Sequence, residues 1–287
     1  MTAITVVGSI NLDLVASGAP LPLAGETVTG AVLGRHPGGK GANQALAARR
    51  LGADVVMVGR VGDDAMAGEA LALLAAEGVD LARVVRDPDA ATGVALIAVS
   101  PEGENQISVC AGANWTLSPD RLASGGGDAL ICQLELPCET VAAAVGHAKG
   151  FVCLNLAPAA PVPDTMLARA DLVVVNEGEA AFYGDQLSGL PGLVAVTLGA
   201  RGARLMKAGA VVAECPAPAV QVVDTTGAGD AFVGALTLAL VEGQPPDRAL
   251  RFACAAGALA ATRAGAQPAL PRRDEVEALL SDLDAAR

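Results

Sequence analysis

Short apolar runs alternate with helix-patterned segments along most of this chain, and that alternation leaves few architectures open. Residues 4–7, 54–58, 129–133, 151–156, 172–175 and 194–198 are short, rich in β-branched residues or leucine, and bounded by Gly, Asp or Pro. Strands buried on both faces have this look. Between them, 41–51, 65–77, 137–148, 164–170 and 177–182 carry helical patterns. Strand-then-helix repetition predicts an α/β fold: three α/β/α layers around a mostly parallel, Rossmann-like central sheet. Towards the C-terminus the rhythm changes. Residues 229–242, 247–262 and 274–283 read as three helices, punctuated by Pro245, Pro246, Pro268 and Pro271.

Two segments break the pattern. Residues 14–36 hold β-prone stretches without a helix. Residues 92–110 read as a hairpin: 92–99, a turn at Pro101-Glu102-Gly103-Glu104-Asn105, then 106–109. Both fit a small second sheet lying as a lid over a site at the carboxyl ends of the main strands, where open α/β sheets bind ligands. The 287 residues then form one domain, 1–287, with a discontinuous lid from about 14–36 and 92–110. A chain of this length buries roughly 75% of its unfolded surface.

Composition excludes several classes. The chain is 52% apolar with a mean hydropathy of +0.46, yet its uncharged stretches, such as 186–200, contain Gly and Pro and fall short of the roughly 18 residues a membrane span needs. Net charge is −12 and the 19 Lys and Arg are scattered, so no basic stripe exists for nucleic acid. Cys110, Cys132, Cys138, Cys153, Cys215 and Cys254 include no C-x-x-C pair, and with two His there is no zinc spacing. Most of these cysteines lie in apolar runs, as buried thiols do. No basic-then-apolar leader opens the chain, and the cytoplasm is the expected location.

The string with most chemistry is Asp224-Thr225-Thr226-Gly227-Ala228-Gly229-Asp230, running into an apolar helix. Glycines let the backbone turn tightly and approach a ligand. A helix starting there offers free N–H groups and a favourable dipole to an anion. This is a phosphate site made without lysine. Asp230 stands beside it and can take a proton from a hydroxyl attacking phosphorus. Gly-x-Gly-Asp alone would be an ordinary capped turn; the seven-residue string is more specific.

A second glycine loop, Gly38-Gly39-Lys40-Gly41-Ala42-Asn43-Gln44, also enters a helix. It is no Walker loop, since G-K-[ST] is absent, and no G-x-G-x-x-G follows the first strand. Nicotinamide chemistry loses its fingerprint. Lys40 and Asn43 suit a polyol. A third stretch, Gly8-Ser9-Ile10-Asn11-Leu12-Asp13, puts Asn11 and Asp13 on one side of an extended chain, an amide and a carboxylate for adjacent hydroxyls.

Together these stretches resemble the ribokinase-like carbohydrate kinase family, in order and over nearly the whole chain. The likeness extends to Gly25-Glu26-Thr27-Val28-Thr29-Gly30, Gln133-Leu134-Glu135, Asn155-Leu156-Ala157-Pro158, Asn176-Glu177-Gly178-Glu179, Thr197-Leu198-Gly199-Ala200-Arg201-Gly202 and Gly265-Ala266-Gln267-Pro268. The resemblance implies a ribokinase-type fold and an ATP-dependent phosphotransferase. It makes Asp230 the catalytic base, with Gly227, Ala228 and Gly229 as the anion hole. Asn11, Asp13, Gly39, Lys40, Asn43, Glu135 and Asp230 would hold the sugar. Asn176 and Glu179 would place Mg2+ and phosphate. Thr197, Gly199, Ala200, Gly202, Gly229 and Cys254 would line the nucleotide site. Asp224, Thr226, Ala260, Arg263 and Gly265 would hold K+.

Three departures from the family pattern stand out. Ala269 replaces a polar residue closing the potassium loop, the stretch 179–197 is short by about a helix, and Cys254 stands where an adenine-adjacent histidine is typical. With one Trp, one Tyr and four Phe in all, and none in the lid segments, the chain lacks the aromatics that would stack a nucleoside base. D-ribose is the expected acceptor, giving D-ribose 5-phosphate. A nucleoside or another pentose or hexose is the alternative, and a catalytically dead sugar- or nucleotide-binding protein is the reading from a different class. The lid is expected to close over the sugar and to join two copies as a homodimer.

Overall fold

A computed structural model describes residues 1–122 and 126–285. In chain order its strands are β1 (Ala3–Val7), β2 (Asn11–Ser17), β3 (Val32–Gly38), β4 (Asp54–Gly62), β5 (Asp80–Asp87), β6 (Gly93–Val99), β7 (Asn105–Cys110), β8 (Ala129–Cys132), β9 (Phe151–Asn155), β10 (Leu172–Asn176), β11 (Leu193–Thr197), β12 (Ala203–Lys207) and β13 (Ala210–Cys215). The helices are α1 (Lys40–Arg50), α2 (Ala65–Ala76), α3 (Cys138–His147), α4 (Asp164–Arg169), α5 (Glu177–Tyr183), α6 (Ala228–Val241), α7 (Pro246–Ala260) and α8 (Arg273–Ala285).

The large sheet runs β13-β12-β11-β10-β9-β8-β1-β4-β5. Pairing is parallel from β11 across to β5, and antiparallel only where β12 meets β11 and β13. The two-residue period of a strand sorts its side chains into two cores. Ile4, Val6, Ile131, Leu172 and Val174 pack with α1, α2, α6 and α7 on one face. Val7, Leu130, Leu154, Val173 and Val175 pack with α3, α4 and α5 on the other. Alternate residues of single apolar strands thus serve opposite layers, and the expected α/β/α architecture follows.

Three strands were not expected from sequence: β5, β12 and β13. They lie at the sheet margins, where one side of the strand is solvated and the apolar run is diluted by charge, as in Asp80-Leu81-Ala82-Arg83-Val84-Val85-Arg86-Asp87. Both glycine-loop helices also start one residue earlier than their patterns suggest, at Lys40 and Ala228. Between α5 and β11 the short connection contains one 3-10 turn, Gly184–Leu187, among the described residues. Of the cysteines, only Cys132, Cys153 and Cys254 are buried; Cys110 is exposed, and Cys138 and Cys215 are half-buried. An apolar sequence neighbourhood does not bury a residue at a strand or helix end.

The second sheet has the order β3-β2-β6-β7. It is mixed: β2 pairs antiparallel with β3 and parallel with β6, and β6 pairs antiparallel with β7. It starts at Asn11 and ends its first hairpin at Gly38, so it reaches further towards the main sheet than the segment 14–36. No helix among the described residues is long and apolar enough to cross a membrane.

Candidate active site

Chain order reverses at β1, which has β4 on one side and β8 on the other. A crevice opens at the carboxyl ends of strands at such a point, and the sequence-singled residues gather there. Gly8 to Ile10 follow β1, Gln133 to Glu135 follow β8, and Asn155, Asn176 and Thr197 end β9, β10 and β11.

The expected anion site falls at the start of α6. Gly227 caps it at φ 80°, and a Cβ there would lie 3.0 Å from the Ala266 Cα, so a side chain is excluded twice over. The Ala228 N–H donates to the Thr225 carbonyl at 3.2 Å. The N–H groups of Gly227 and Gly229 have no acceptor among the described residues, which leaves them for an anion. Asp230 falls in the first turn, where the dipole favours its charge.

Asp230 is buried. Its Oδ2 accepts from Asn43 Nδ2 at 2.8 Å and its Oδ1 from Gln44 Nε2 at 2.9 Å. Burial pushes its pKa up. Lys40, Asn43 and Gln44 oppose that shift, Glu135 adds to it, and the net direction is upward. A carboxyl held in this way is a stronger base than an exposed aspartate.

The second glycine loop brings α1 to the same place. Gly39 adopts φ 87°, and a Cβ on it would lie 2.7 Å from the Asn11 amide nitrogen. Lys40 is therefore the first residue of the helix and points its ammonium among acids, 3.8 Å from Glu135. Burial pulls the Lys40 pKa down, but the charges of Asp230, Glu135, Glu179 and Asp13 outweigh it and hold the amine protonated. The Glu135 carboxylate fastens the loop: its Oε2 accepts from Ser9 Oγ at 2.5 Å and from Lys40 N at 3.2 Å.

Asn11 and Asp13 stand on one face of β2. Asn11 Oδ1 accepts from Asn114 Nδ2 at 2.7 Å, so its own NH2 is the group left for a ligand. Asp13 is pushed up to about 6 by burial, then by the charges of Glu135 and Asp230, with Lys40 pulling the other way. A Cβ on Gly38 would lie 2.3 Å from its Oδ2.

A cleft of about 670 Å³ opens beside these groups. Its walls include Lys40, Asn155, Asn176, Glu179, Thr197, Thr225, Gly227, Gly229 and Asp230. Gly199, Ala200, Gly202 and Cys254 are not on this lining. Gly199 and Ala200 form a 3-10 turn, Gly202 packs on the Cys215 carbonyl, and the buried Cys254 Sγ lies 3.9 Å from that same oxygen. Asn176 and Glu179 form a reciprocal capping box on α5 at 2.9 and 2.8 Å. Burial raises the Glu179 pKa.

Asp224 ties two loops. Its Oδ1 accepts from Thr226 N and Oγ1 at 2.9 and 2.7 Å, and its Oδ2 from Gly265 N at 2.8 Å. These bonds hold its pKa below the usual range against the effect of burial. The Ala260 carbonyl accepts from Arg263 N at 3.4 Å, and the Arg263 guanidinium pairs with Glu275. Ala269, expected from the family pattern to be polar, is fully buried.

Four polar residues at this site had no assigned role in the sequence reading: Gln44, Gln133, Asn155 and Asn114. All are buried. Gln44, Gln133 and Asn155 stood in strings that carried the family resemblance, which was their only sequence signal.

Residues 1–273 match the model of the pfkB family carbohydrate kinases. The chain belongs to that family. It is 39% identical to a ribokinase of Bacillus subtilis, over 98% of this chain and all of that one. Among solved structures, a Thermotoga maritima ribokinase superposes with a TM-score of 0.89 at 31% identity, covering 98% of this chain and 100% of that one. An Arabidopsis thaliana ribokinase, complexed with ribose and ATP, superposes at 0.82 and 31% identity, covering 97% and 98%.

Proposed function

We propose that this carbohydrate kinase transfers the γ-phosphoryl group of ATP to the 5-hydroxyl of D-ribose. The observation that carries this is the buried Asp230 carboxylate in the first turn of α6, next to the unpaired N–H groups of Gly227 and Gly229. Base and anion hole are then adjacent, as in-line phosphoryl transfer requires.

In this reading Asn11, Asp13, Gly39, Lys40, Asn43 and Glu135 hold the sugar. Asp230 accepts the hydroxyl proton as that oxygen attacks phosphorus. The amides of the α6 start, with the Lys40 ammonium, meet the charge developing on the phosphoryl oxygens. Ala228 contributes through the backbone turn it closes. Asn176, Glu179, Thr197 and the 199–202 turn bound the nucleotide, with Cys254 behind it.

A free sugar is favoured over a sugar phosphate. The lid cation Arg35 is already bound by both oxygens of Glu69, at 2.8 and 2.7 Å, and its neighbours in register place it on the lid face opposite Asn11 and Asp13. Among the described lid strands, His36 is the basic side chain that shares the Asp13 face in register, and with no arginine beside it the grip on a second phosphate is weak.

Magnesium fits the cleft. Among the described residues no cluster of three or more His, Cys, Asp or Glu exists for a metal, but Mg2+ is commonly bound by one or two carboxylates with water and substrate phosphates. Glu179 supplies the carboxylate, beside Asn176. The ion would neutralise phosphate charge. Potassium fits less fully: Asp224, Thr226, Ala260, Arg263 and Gly265 offer one carboxylate and carbonyls, and the Ala269 side chain offers no oxygen. Such an ion would brace the loop that carries the anion hole.

The lid closes over the sugar and joins two copies in this reading. Ile107 and Val109 are exposed and share the lid face of Asp13 through the β2–β6–β7 register. An apolar sheet face of this kind is covered when the protein is at work. The buried, unbridged thiols of Cys132 and Cys153 and use of ATP suit the cytoplasm. Product NMR tests the regiochemistry: phosphorus coupling to the C5 protons of ribose is expected, and coupling at C1 would overturn it.

A further inference from the structure

Behind Asp230 lies a chain of buried side-chain amides that meets the cleft only at Asn155. Gln44 Nε2 donates to Asp230 Oδ1 and also to Asn155 Oδ1, both at 2.9 Å. Asn155 Nδ2 donates to the Val174 carbonyl at 3.2 Å. Gln133 Nε2 donates to Gln44 Oε1 at 2.6 Å. Gln44 is fully buried, in the first turns of α1, and Gln133 nearly so, just beyond β8.

The direction of every bond in this chain is forced by its ends. An ionised carboxylate and a peptide carbonyl can only accept. The group Gln44 turns to Asp230 must therefore be its NH2, and Asn155 must meet that NH2 with its oxygen. Asn155 then has its NH2 free for Val174, which requires a donor. Gln44 is left with an oxygen facing Gln133, and Gln133 must present its NH2. No member can rotate by half a turn without placing oxygen against oxygen or NH2 against NH2. Gln133 reaches this position because residue 8 is glycine: a Cβ there would lie 2.1 Å from Gln133 Oε1.

We propose that Gln44 is a positioning residue for Asp230, fixing the carboxylate in the orientation that receives the acceptor hydroxyl proton, and that Gln133 locks Gln44 in the donor orientation. The proposal rests on Asp230 being the base. Asn43 cannot do this job alone. It binds the other oxygen, Oδ2, and one bond leaves the carboxylate free to swing about it. Gln44 touches Asp230 only from behind and never reaches a ligand in the cleft, so it acts through the base. Its donated bond also favours the charged form, against burial and against the nearby carboxylates Glu135 and Asp13, while Lys40 works with it. Losing that bond makes Asp230 easier to protonate.

The test is the pH profile of kcat for Gln44→Met beside wild type and Asp230→Asn, with sugar and ATP at saturation. Gln44→Met is expected to lose about tenfold to a thousandfold in kcat, to shift the acid limb upward by about one pH unit or more, and to keep KM for both substrates within about threefold. Gln133→Met is expected to give the same pattern more weakly, and carries the test where Gln44→Met does not fold. An unshifted acid limb in the folded variant, or losses in kcat that only follow a lowered Tm, would overturn the proposal. Asp230→Asn separates the two levels: substantial turnover there sinks the base assignment itself, whereas an inactive Asp230→Asn with an unshifted Gln variant sinks only the positioning role.

Discussion

Asn43 and Asp230 are 187 positions apart in the chain and are joined by a single 2.8 Å hydrogen bond from the amide nitrogen to the carboxylate. That bond connects the first turns of α1 and α6, the two helices that follow the glycine loops. Removing the charge at one end should therefore remove the chemistry without dismantling the site. Asp230→Asn is expected to keep the fold and to bind sugar within a few-fold of wild type, while kcat falls by about 10² or more. Calorimetry for sugar binding and steady-state ADP release check the two halves.

Gly38→Ala should act on the sugar side. The new methyl would meet the Asp13 carboxylate at 2.3 Å, far inside contact distance. The neighbour must move, and it is a sugar-side group on a buried strand. KM for the sugar is expected to rise about tenfold or more, with KM for ATP nearly unchanged; a clash of this kind typically costs about 1–3 kcal/mol. Steady-state kinetics with each substrate varied in turn tests it.

Asp13 should give stability a pH signature. Its pKa rises from the ordinary 3.8 to about 6 on folding, so the folded chain holds this proton more tightly than the unfolded chain. The stability it contributes is full below about pH 4 and is lost as pH rises through about 6, at most about 3 kcal/mol in all. Asp230 and Glu179 slope the same way and lowered carboxylates such as Asp224 and Asp64 the opposite way, so the difference between wild type and Asp13→Asn is the readout. That difference should change between pH 4 and 6.5 and be flat above. Sugar binding should weaken as pH falls below about 6, because protonated Asp13 accepts less well from a hydroxyl. Denaturant titrations and calorimetry across that range check both signs.

Potassium should matter little. The Asp224 carboxylate already joins the 224–226 turn to Gly265 through three hydrogen bonds, and the Ala269 side chain adds no oxygen. Replacing sodium by potassium is expected to change kcat by less than about threefold, and Asp224→Asn to cost more than removing the cation does. This follows from treating the hydrogen bonds to the charged group as worth about 1.5–3 kcal/mol. Rates measured in matched sodium and potassium salts decide it.

Much of this was legible before any coordinates. The apolar runs 4–7, 151–156 and 172–175 lie on buried central strands because burial on both faces leaves an unmistakable signature. The glycine strings marked both helix starts, since few other residues tolerate the positive φ of Gly39 and Gly227. The edge strands β5 and β13 were hidden because an edge strand needs only one apolar face, and β12, one strand further in, has its apolar run broken by Arg204 and Lys207. The amide chain was hidden for another reason. Gln44, Gln133 and Asn155 come from three parts of the sequence, and only the parallel pairing of β8 and β9, with α1 laid across their ends, brings them together. The Asn176-to-Glu179 spacing was read for its ligand, yet the same four residues also spell a capping box.

ADP release measured against D-ribose, 2-deoxyribose, fructose, fructose 6-phosphate, adenosine and pseudouridine, with magnesium present, tests the central claim most directly. The site described here predicts a kcat/KM for D-ribose at least about tenfold above every other acceptor, because Asn11, Asp13 and Asn43 match a free polyol, the lid segments carry no aromatic residue, and Arg35 is already paired with Glu69. Turnover confined to a nucleoside or to fructose 6-phosphate would contradict it.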